Sequence, residues 1–256
     1  MSFIDLRGHQ IWHQEWSKRR KEPLLLLHGG LSSTKSFAPK ILPSVKRTHH
    51  SYGYDRSAHG RTKVRKGYYH FNFQRDEAIA YLEDIVKEPA HLIGWSDGGI
   101  IAMSVAIARP ELVKSLVLIG ANYHHSGTSI ELPFSEPSDE DKAEYAVTSP
   151  DAPHTLTEKI KKMLKIWDTE PDIPLSDLAK IQCPTLVVAG DDDVISHEHT
   201  LEMYRAIELS QLAIIPGTSH IAPKEKPALF SAIVQQFLTD LSYPVTKMPI
   251  RRVSNQ

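Results

Sequence analysis

A serine framed by glycines stands between a strand-like run and a helix-like run. Residues 91–94 are short and apolar, and Ser96 follows them inside the pattern Gly-Trp-Ser-Asp-Gly. A nearly all-apolar run over residues 100–107 comes next and ends before Pro110, which is typical of a buried helix. In a strand–turn–helix context, G-x-S-x-G exposes the serine hydroxyl on a sharp turn, where it can act as a nucleophile. The alternative is a glycine turn that holds a serine by chance. The two interpretations are distinguished by whether the chain also supplies a base and an acid for Ser96.

A nucleophilic serine needs a base that accepts its proton and an acid that orients the base. His220, one of fourteen histidines, follows Pro-Gly-Thr-Ser in a loop after the last strand-like run. A loop at the carboxyl end of a strand opens into the same crevice as the serine turn, so we predict His220 as the base; the alternative is a surface histidine. The preceding strand-like run ends in three aspartates, residues 191–193. Their spacing from Gly190 favours Asp193 as the acid and leaves the other two as turn caps.

Strand-like runs alternate with helical patterns along most of the chain, which predicts a mostly parallel sheet covered by helices on both faces. A hairpin is predicted around Gly8, over residues 3–16. Later strand-like runs lie at residues 24–27, 51–55, 91–94, 115–119, 185–189 and 212–215, and helical patterns include residues 73–86 and 225–238. The predicted core therefore comprises residues 1–125 and 177–243, with a frayed tail at residues 244–256.

Residues 126–176 interrupt this alternation, because they contain no strand-like run and two helical patterns, at residues 138–147 and 155–167. We interpret the segment as a helical cap over the carboxyl edge of the sheet. One face of its second helix is apolar and includes Met163 and Trp167. Such a stripe either packs on the core or lines a substrate pocket, and we retain both residues as predicted substrate contacts.

Composition and charge indicate an ordinary globular protein. The chain has 256 residues, 41% of them hydrophobic and 24% charged, with a net charge of −1. This balance gives no indication of a nucleic-acid or membrane partner. The N-terminal segment lacks the apolar stretch of a signal peptide, and the single cysteine, Cys183, cannot form an internal disulfide. We therefore expect a cytoplasmic monomer or homodimer that acts on a small molecule.

Histidine pairs such as His197 and His199 raise the question of a metal. No third ligand follows them at a spacing typical of a zinc site, so we predict neither a metal nor another cofactor.

Five motifs in this order resemble the α/β-hydrolase superfamily across nearly the whole chain: LLLLHGG, GYDRSAHGRT, LIGWSDGGIIA, PTLVVAGDDDVIS and IIPGTSHIAPKEKP. The resemblance implies the α/β-hydrolase fold, with a mostly parallel central sheet flanked by helices and a small helical cap inserted after the sixth strand. It also implies the catalytic order Ser96, Asp193, His220. The elbow GWSDGG is similar to that of valacyclovir hydrolase (biphenyl hydrolase-like protein) and related bacterial esterases.

The same resemblance implies an oxyanion hole formed by the backbone amides of Gly30 and Asp97. The expected reaction is hydrolysis of a small carboxylic ester through an acyl-enzyme. A receptor-like member with little turnover, and carbon–carbon bond hydrolysis or lyase chemistry on the same triad, remain alternatives. Leu31 and Trp95 flank the site and either line the acyl pocket or only pack. The Asp97 side chain either binds a substrate amine or caps the following helix and contacts the loop at Arg56.

Overall fold

An eight-stranded sheet runs through the centre of the computed structural model, which describes residues 2–20, 22–129 and 133–251. Its strands are β1 Ser2–Leu6, β2 His9–Trp16, β3 Glu22–Leu27, β4 His49–Tyr54, β5 Ala90–Trp95, β6 Val113–Ile119, β7 Thr185–Gly190 and β8 Ser210–Ile215. They lie in the order β1-β2-β4-β3-β5-β6-β7-β8. Strand β2 is antiparallel to both of its neighbours, β1 and β4, whereas β3 to β8 are parallel to one another. The mostly parallel sheet predicted from the sequence is confirmed.

Helices cover both faces of the sheet. They are α1 Thr34–Val45, α2 Phe71–Tyr81, α3 Asp97–Ala108, α4 Asp139–Thr148, α5 Thr155–Trp167, α6 Leu175–Leu178, α7 His197–Ala206, α8 Ala222–Glu225 and α9 Pro227–Thr239. A π-helical turn, Leu82–Val86, extends α2. Within the described ranges, no helix is both long and apolar enough to cross a lipid bilayer.

The run of four leucines in β3 is explained by burial on both faces of the sheet. Leu25 and Leu27 join a core with side chains of α2 and α3, whereas Leu24 and Leu26 join a second core with α1 and α9. Successive side chains of a strand point to opposite faces, so a strand with two covered faces must be apolar throughout.

The order in which the chain adds strands to the sheet changes side at β3. From β3 the sheet extends to β4 on one side and to β5 on the other, and all three strands are parallel. In such sheets the loops at the carboxyl ends of the two central strands separate and leave a crevice. The loops that follow β3 and β5 carry residues 28–33 and Ser96, so the fold directs both toward this crevice.

The cap helices α4 and α5 follow β6 in the chain, as predicted. Ser138 begins α4 with a capping box, in which its hydroxyl accepts the amide of Asp141 and the Asp141 carboxylate accepts in return. A buried ion pair attaches α5 to the core loop. The Lys159 ammonium donates to Ala58 O at 2.7 Å and lies 3.3 Å from Asp151, which also accepts the amide of Val64 at 3.2 Å.

The segment predicted to fray, residues 244–256, is described as far as Arg251. The Arg251 guanidinium lies 4.1 Å from the centre of the Tyr204 ring and donates to the Ser210 hydroxyl at 3.0 Å. Three apolar side chains before it, Val245, Met248 and Ile250, are almost fully exposed. The remainder of the predicted tail lies outside the described residues.

Buried histidines should make the free energy of unfolding fall in mild acid. Burial, with the nearby His49 and Lys114, lowers the pKa of His91 to about 4. The unfolded chain therefore takes up a proton at this position near pH 6.5, whereas the folded chain does so only near pH 4. The neutral form stabilises the fold above pH 6.5, and this contribution is lost as the pH falls toward 4.

We expect His91→Asn to remove about 2 kcal/mol of the loss in stability between neutral pH and pH 5. Asparagine retains a hydrogen-bonding group for the Ser115 hydroxyl, which lies 2.8 Å from the His91 ring. The measurement is urea unfolding of both proteins at several pH values. An unchanged pH dependence in the variant would contradict the prediction.

Candidate active site

Ser96 occupies the turn between β5 and α3 in a strained backbone conformation. Its φ is 53° and its ψ is −123°, a region that L-residues rarely adopt. The Ser96 amide donates to the Ile119 carbonyl of the neighbouring β6 at 2.8 Å, which anchors the turn to the sheet. This is the strand–turn–helix context predicted for a nucleophile elbow.

The glycines that frame Ser96 are required by close contacts. A Cβ atom on Gly94 would lie 2.2 Å from the Gly98 carbonyl oxygen, and one on Gly98 would lie 2.0 Å from the Leu27 carbonyl oxygen. Any side chain at these positions would push α3 away from β3 and β5. The elbow pattern therefore reflects a steric requirement of this turn rather than a chance coincidence.

His220 and Asp193 form a hydrogen-bonded pair at the carboxyl ends of β8 and β7. The His220 Nδ1 atom lies 2.7 Å from Asp193 Oδ1, and the Asp193 side chain is 1% exposed. Because a carboxylate accepts at this distance, Nδ1 carries the proton and donates it. The Nε2 atom of the neutral ring then has a lone pair available to accept a proton.

Backbone amides hold the Asp193 carboxylate in place. Ile195 donates to Oδ1 at 3.1 Å, and Gly190 donates to Oδ2 at 3.4 Å. Asp191 has a different role, because it accepts the amide of Thr218 at 3.0 Å and so caps the turn. The Asp192 side chain is exposed. The structure thus pairs the third aspartate with His220, as the spacing predicted.

Trp95 links the serine turn to the histidine loop. Its indole Nε1 donates to the His220 carbonyl at 2.8 Å, and its ring centroid lies 5.7 Å from that of His220. The residue immediately before Ser96 therefore fixes the position of the proposed base. Gly120, at the end of β6, leaves space for the pair, because an added Cβ would lie 2.8 Å from His220 Nδ1.

The predicted oxyanion turn follows β3 and lies against the elbow. A Cβ atom on Gly30 would lie 2.4 Å from the Trp167 ring and 2.6 Å from Asp97 Oδ2, so only glycine fits there. Asp97 is the first residue of α3. Its amide is among the first N–H groups of the helix, which have no intrahelical partner and carry the positive end of the helix dipole.

The Asp97 side chain lies beneath the cap helix α5. It is 2% exposed, and the Trp167 indole donates to its Oδ1 at 3.0 Å. Its Oδ2 has no hydrogen-bond partner among the described residues. Burial raises the pKa of Asp97, while the charge of nearby Arg56 and the Trp167 hydrogen bond oppose that rise. The Arg56 charge therefore acts on Asp97, but among the described residues no hydrogen bond or ion pair joins the two side chains.

A cavity of about 600 Å³ lies between the cap and the core loops. Of the predicted substrate contacts, Leu31 and Trp95 line it, together with Gly30. Leu31 is 43% exposed. The cap contributes residues of α4 and α5 to the wall, including Tyr145, Leu156, Lys159 and Ile160.

Met163 is fully buried in the core and is not among the residues that line the cavity. Trp167 contacts Asp97 instead.

Two buried charges near the site were not predicted from the sequence. Arg56 is fully buried behind the oxyanion turn, and Lys159 is buried in the cavity wall. The burial of Lys159 could have been predicted from its position, because it lies three residues after Leu156 and four before Met163, on the apolar face of α5. The burial of Arg56 could not have been predicted in this way, since Arg56 lies in a loop and a loop has no periodicity.

The chain matches the model of the alpha/beta hydrolase family over residues 24–233. This chain belongs to the α/β-hydrolase family. The matched region contains the whole proposed triad and the cap, in agreement with the observed fold.

Two curated relatives of this α/β-hydrolase carry hydrolase names. It is 26% identical to the putative carbamate hydrolase RutD of Pseudomonas savastanoi pv. phaseolicola, over 84% of this chain and 93% of the relative. It is 24% identical to the human (Homo sapiens) serine hydrolase BPHL, over 92% of this chain and 85% of the relative. Among solved structures, a serine hydrolase involved in carbazole degradation, CarC, superposes with a TM-score of 0.77 at 22% identity, covering 93% of this chain and 97% of that one.

A metal centre finds no support in the side-chain arrangement. Within residues 2–20, 22–129 and 133–251, no three His, Cys, Asp or Glu side chains are placed to hold an ion together. His199 instead accepts the Tyr123 amide at 3.0 Å and stacks on the Tyr123 ring.

Proposed function

We propose that this α/β-hydrolase cleaves small carboxylic esters through an acyl-enzyme on Ser96. The observation that carries the proposal is the 2.7 Å His220–Asp193 pair, which a hydrogen bond from Trp95 to the His220 carbonyl joins to the strained, glycine-framed turn of Ser96. The relatives support hydrolytic chemistry, since those reported above are named as hydrolases. The ester bond is our own assignment.

The reaction would form an acyl-enzyme and then hydrolyse it. Ser96 Oγ attacks the ester carbonyl carbon while His220 Nε2 accepts the hydroxyl proton, and Asp193 stabilises the imidazolium. The tetrahedral intermediate collapses, and the alcohol leaves with the proton from His220. A water molecule then attacks the acyl carbon and passes a proton to the same nitrogen. The acid departs, and Ser96 recovers its proton.

The oxyanion of each intermediate would accept hydrogen bonds from the amides of Gly30 and Asp97. Donors of this kind act on charge that develops in the transition state, and removing one costs roughly 3 kcal/mol in comparable sites. The N-terminus of α3 adds a favourable dipole at the same point. The proposed donors are backbone groups, so their side chains are free for other interactions.

The proposal is tested by screening wild type and Ser96→Ala against a panel of esters, lactones, carbamates and aminoacyl esters. We include carbamates because the Pseudomonas relative is named as a putative carbamate hydrolase. Serine-dependent turnover of esters supports the proposal. Turnover confined to carbamates would replace the ester assignment while keeping the triad, and the absence of any serine-dependent turnover would favour a receptor-like protein.

We further propose that Asp97 binds a cationic group of the substrate. A buried carboxylate beside the serine opposes the negative charge of the oxyanion, so its presence favours a substrate that brings a compensating cation. Asp97 Oδ2 lies next to Gly30 and has no hydrogen-bond partner among the described residues. The α-ammonium of an aminoacyl ester would supply a charge-assisted hydrogen bond to this oxygen.

Asp97→Asn is expected to lower kcat/KM for an α-amino ester about tenfold or more, relative to the same ester without the amine. Asparagine preserves the shape of the side chain and removes its charge. Glu144→Gln is the control for the loss of a negative charge near the site, because Glu144 is an exposed acid of α4 that lines the cavity, whereas Asp97 is buried. Equal losses on both esters in Asp97→Asn would assign Asp97 a structural role.

A further inference from the structure

Arg56 is a fully buried arginine whose contacts converge on the oxyanion turn. It follows β4, and its side chain is 0% exposed. Its Nη2 atom donates to the carbonyl oxygen of Gly29 at 2.8 Å and to that of His28 at 3.0 Å. The Nε and Nη1 atoms have no hydrogen-bond partner among the described residues. The hydrogen bonds of the guanidinium to protein oxygens are therefore directed to the turn that contains Gly30.

His28 supports the same carbonyl group from a second direction. Its Nδ1 atom lies 2.8 Å from the Gly29 carbonyl oxygen, and its Nε2 atom lies 3.3 Å from the Arg56 amide. Since a carbonyl accepts and an amide donates, both contacts are satisfied when Nδ1 carries the proton and Nε2 accepts. The Arg56 Nη2 atom, 3.3 Å from Nδ1, is then a neighbour of that N–H group and not its hydrogen-bond donor. Burial, with the nearby Arg56 charge, lowers the pKa of His28 well below its ordinary value. The ring is therefore neutral and held in one tautomer.

The Gly29 carbonyl belongs to the same peptide group as the Gly30 amide. A trans peptide is planar, and its C=O and N–H bonds point in opposite directions. Two donors that hold the Gly29 oxygen on the Arg56 side of the turn therefore direct the Gly30 N–H to the other side. Gly30 itself lies against the elbow, because an added Gly30 Cβ would lie 2.6 Å from Asp97 Oδ2. We therefore infer that its N–H faces the space in front of Ser96.

The charge of Arg56 also strengthens this donor. Among the described residues the guanidinium forms no ion pair; the carboxylates of Asp97, Glu77 and Asp55 act on its charge from a longer distance. The oxygen atoms within hydrogen-bond distance of it are the carbonyls of His28 and Gly29. Hydrogen bonds polarise one another along a chain, and the effect is larger in a buried environment. Withdrawal of electron density from the Gly29 oxygen makes the Gly30 N–H a better donor to an oxyanion.

We propose that Arg56 is a positioning residue of the oxyanion hole, which orients and polarises the Gly30 amide through the shared peptide group. The inference rests on the proposed function, because it assumes that Gly30 donates to an oxyanion. A direct role in substrate binding does not fit, since the side chain has no exposed surface. The effect of Arg56 is therefore expected in the transition state rather than in substrate affinity.

The test compares Arg56→Met with Arg61→Met, using the ester on which wild type is most active. Arg61 is the matched control, because it belongs to the same loop but lies over the Trp12 ring and 3.8 Å from Asp55. We expect Arg56→Met to lower kcat on the order of 10–100-fold, with KM changed less than about threefold. Rates are expressed per serine labelled by a fluorophosphonate, so that misfolded protein is not counted.

A second readout separates positioning from general damage. A trifluoromethyl ketone adds to the serine and forms an oxyanion, whereas a product carboxylate binds without one. In Arg56→Met, the inhibition constant of the ketone should rise in parallel with the loss of kcat, and that of the product should change little. Arg56→Lys retains a buried cation and should recover part of the loss.

Two results would overturn the inference. One is a wild-type kcat per labelled serine in Arg56→Met; if that variant does not fold, a wild-type kcat in Arg56→Lys has the same consequence, because only a partial recovery is expected there. The other is an equal weakening of the ketone and the product. If wild type itself shows no serine-dependent labelling or turnover, the proposed function fails instead, and that result is distinguishable because it does not involve the Arg56 variants.

Discussion

Ser96→Ala is expected to lower kcat by about a thousandfold or more and to abolish covalent labelling by a fluorophosphonate. The alanine variant lacks the hydroxyl that attacks the substrate in the proposed mechanism, so no acyl-enzyme can form on this residue. Residual catalysis would come from the oxyanion amides and substrate binding alone. The measurements are steady-state hydrolysis of the best ester in the panel and detection of the labelled chain by mass spectrometry.

The matched control for this prediction is Ser104→Ala. Ser104 lies on the same helix, α3, and its hydroxyl donates to the Ile100 carbonyl at 2.8 Å. This variant should retain wild-type labelling and turnover. Full labelling of Ser96→Ala would remove Ser96 from the mechanism.

Asp193→Asn is expected to lower kcat by on the order of 10⁴-fold, as the corresponding change does in well-studied Ser-His-Asp sites. An asparagine can turn its amide nitrogen toward His220 Nδ1 and so favour the wrong tautomer. The substitution also removes the charge that stabilises the imidazolium. Thermal unfolding should change much less than activity, because the amide preserves the shape of the side chain.

Asp192→Asn serves as the control, since the Asp192 side chain is exposed. It should retain close to full activity. An inactive Asp192→Asn with an active Asp193→Asn would mean that the working enzyme pairs His220 with the other carboxylate, contrary to the geometry described above.

The sequence was sufficient to predict the arrangement of the sheet and cap because periodicity reports burial directly. The wholly apolar run of β3 is confirmed as a strand between two cores, and α5 begins and ends at the predicted residues. The turns that end β3, β5 and β7 were equally readable. The glycines that flank the turn after β5 and the one that ends β7 meet backbone atoms, and those after β3 meet the side chains of Trp95, Trp167 and Asp97. A residue with a Cβ atom would collide there, so the steric requirement is visible in the sequence as the choice of glycine within each turn motif.

The role of the second cap helix, α5, was only partly predictable from its amino-acid pattern. Its apolar stripe was compatible with core packing or with a pocket, and the structure divides it between the two. Leu156 and Ile160 line the cavity, whereas Met163 is packed in the core. Amphipathicity shows which face of a helix is covered, but not whether protein or ligand covers a given turn.

The sequence by itself determined the order and spacing of Ser96, Asp193 and His220, because each follows a strand and parallel strands bring their carboxyl ends to one edge. Only the tertiary structure decided where the buried charges act. Asp97 lies under Trp167, seventy residues further along the chain, and Arg56 donates to Gly29, twenty-seven residues before it. Such contacts depend on how the cap and the loops pack against the core. No local pattern encodes that packing, since residues so far apart in the chain share no periodicity.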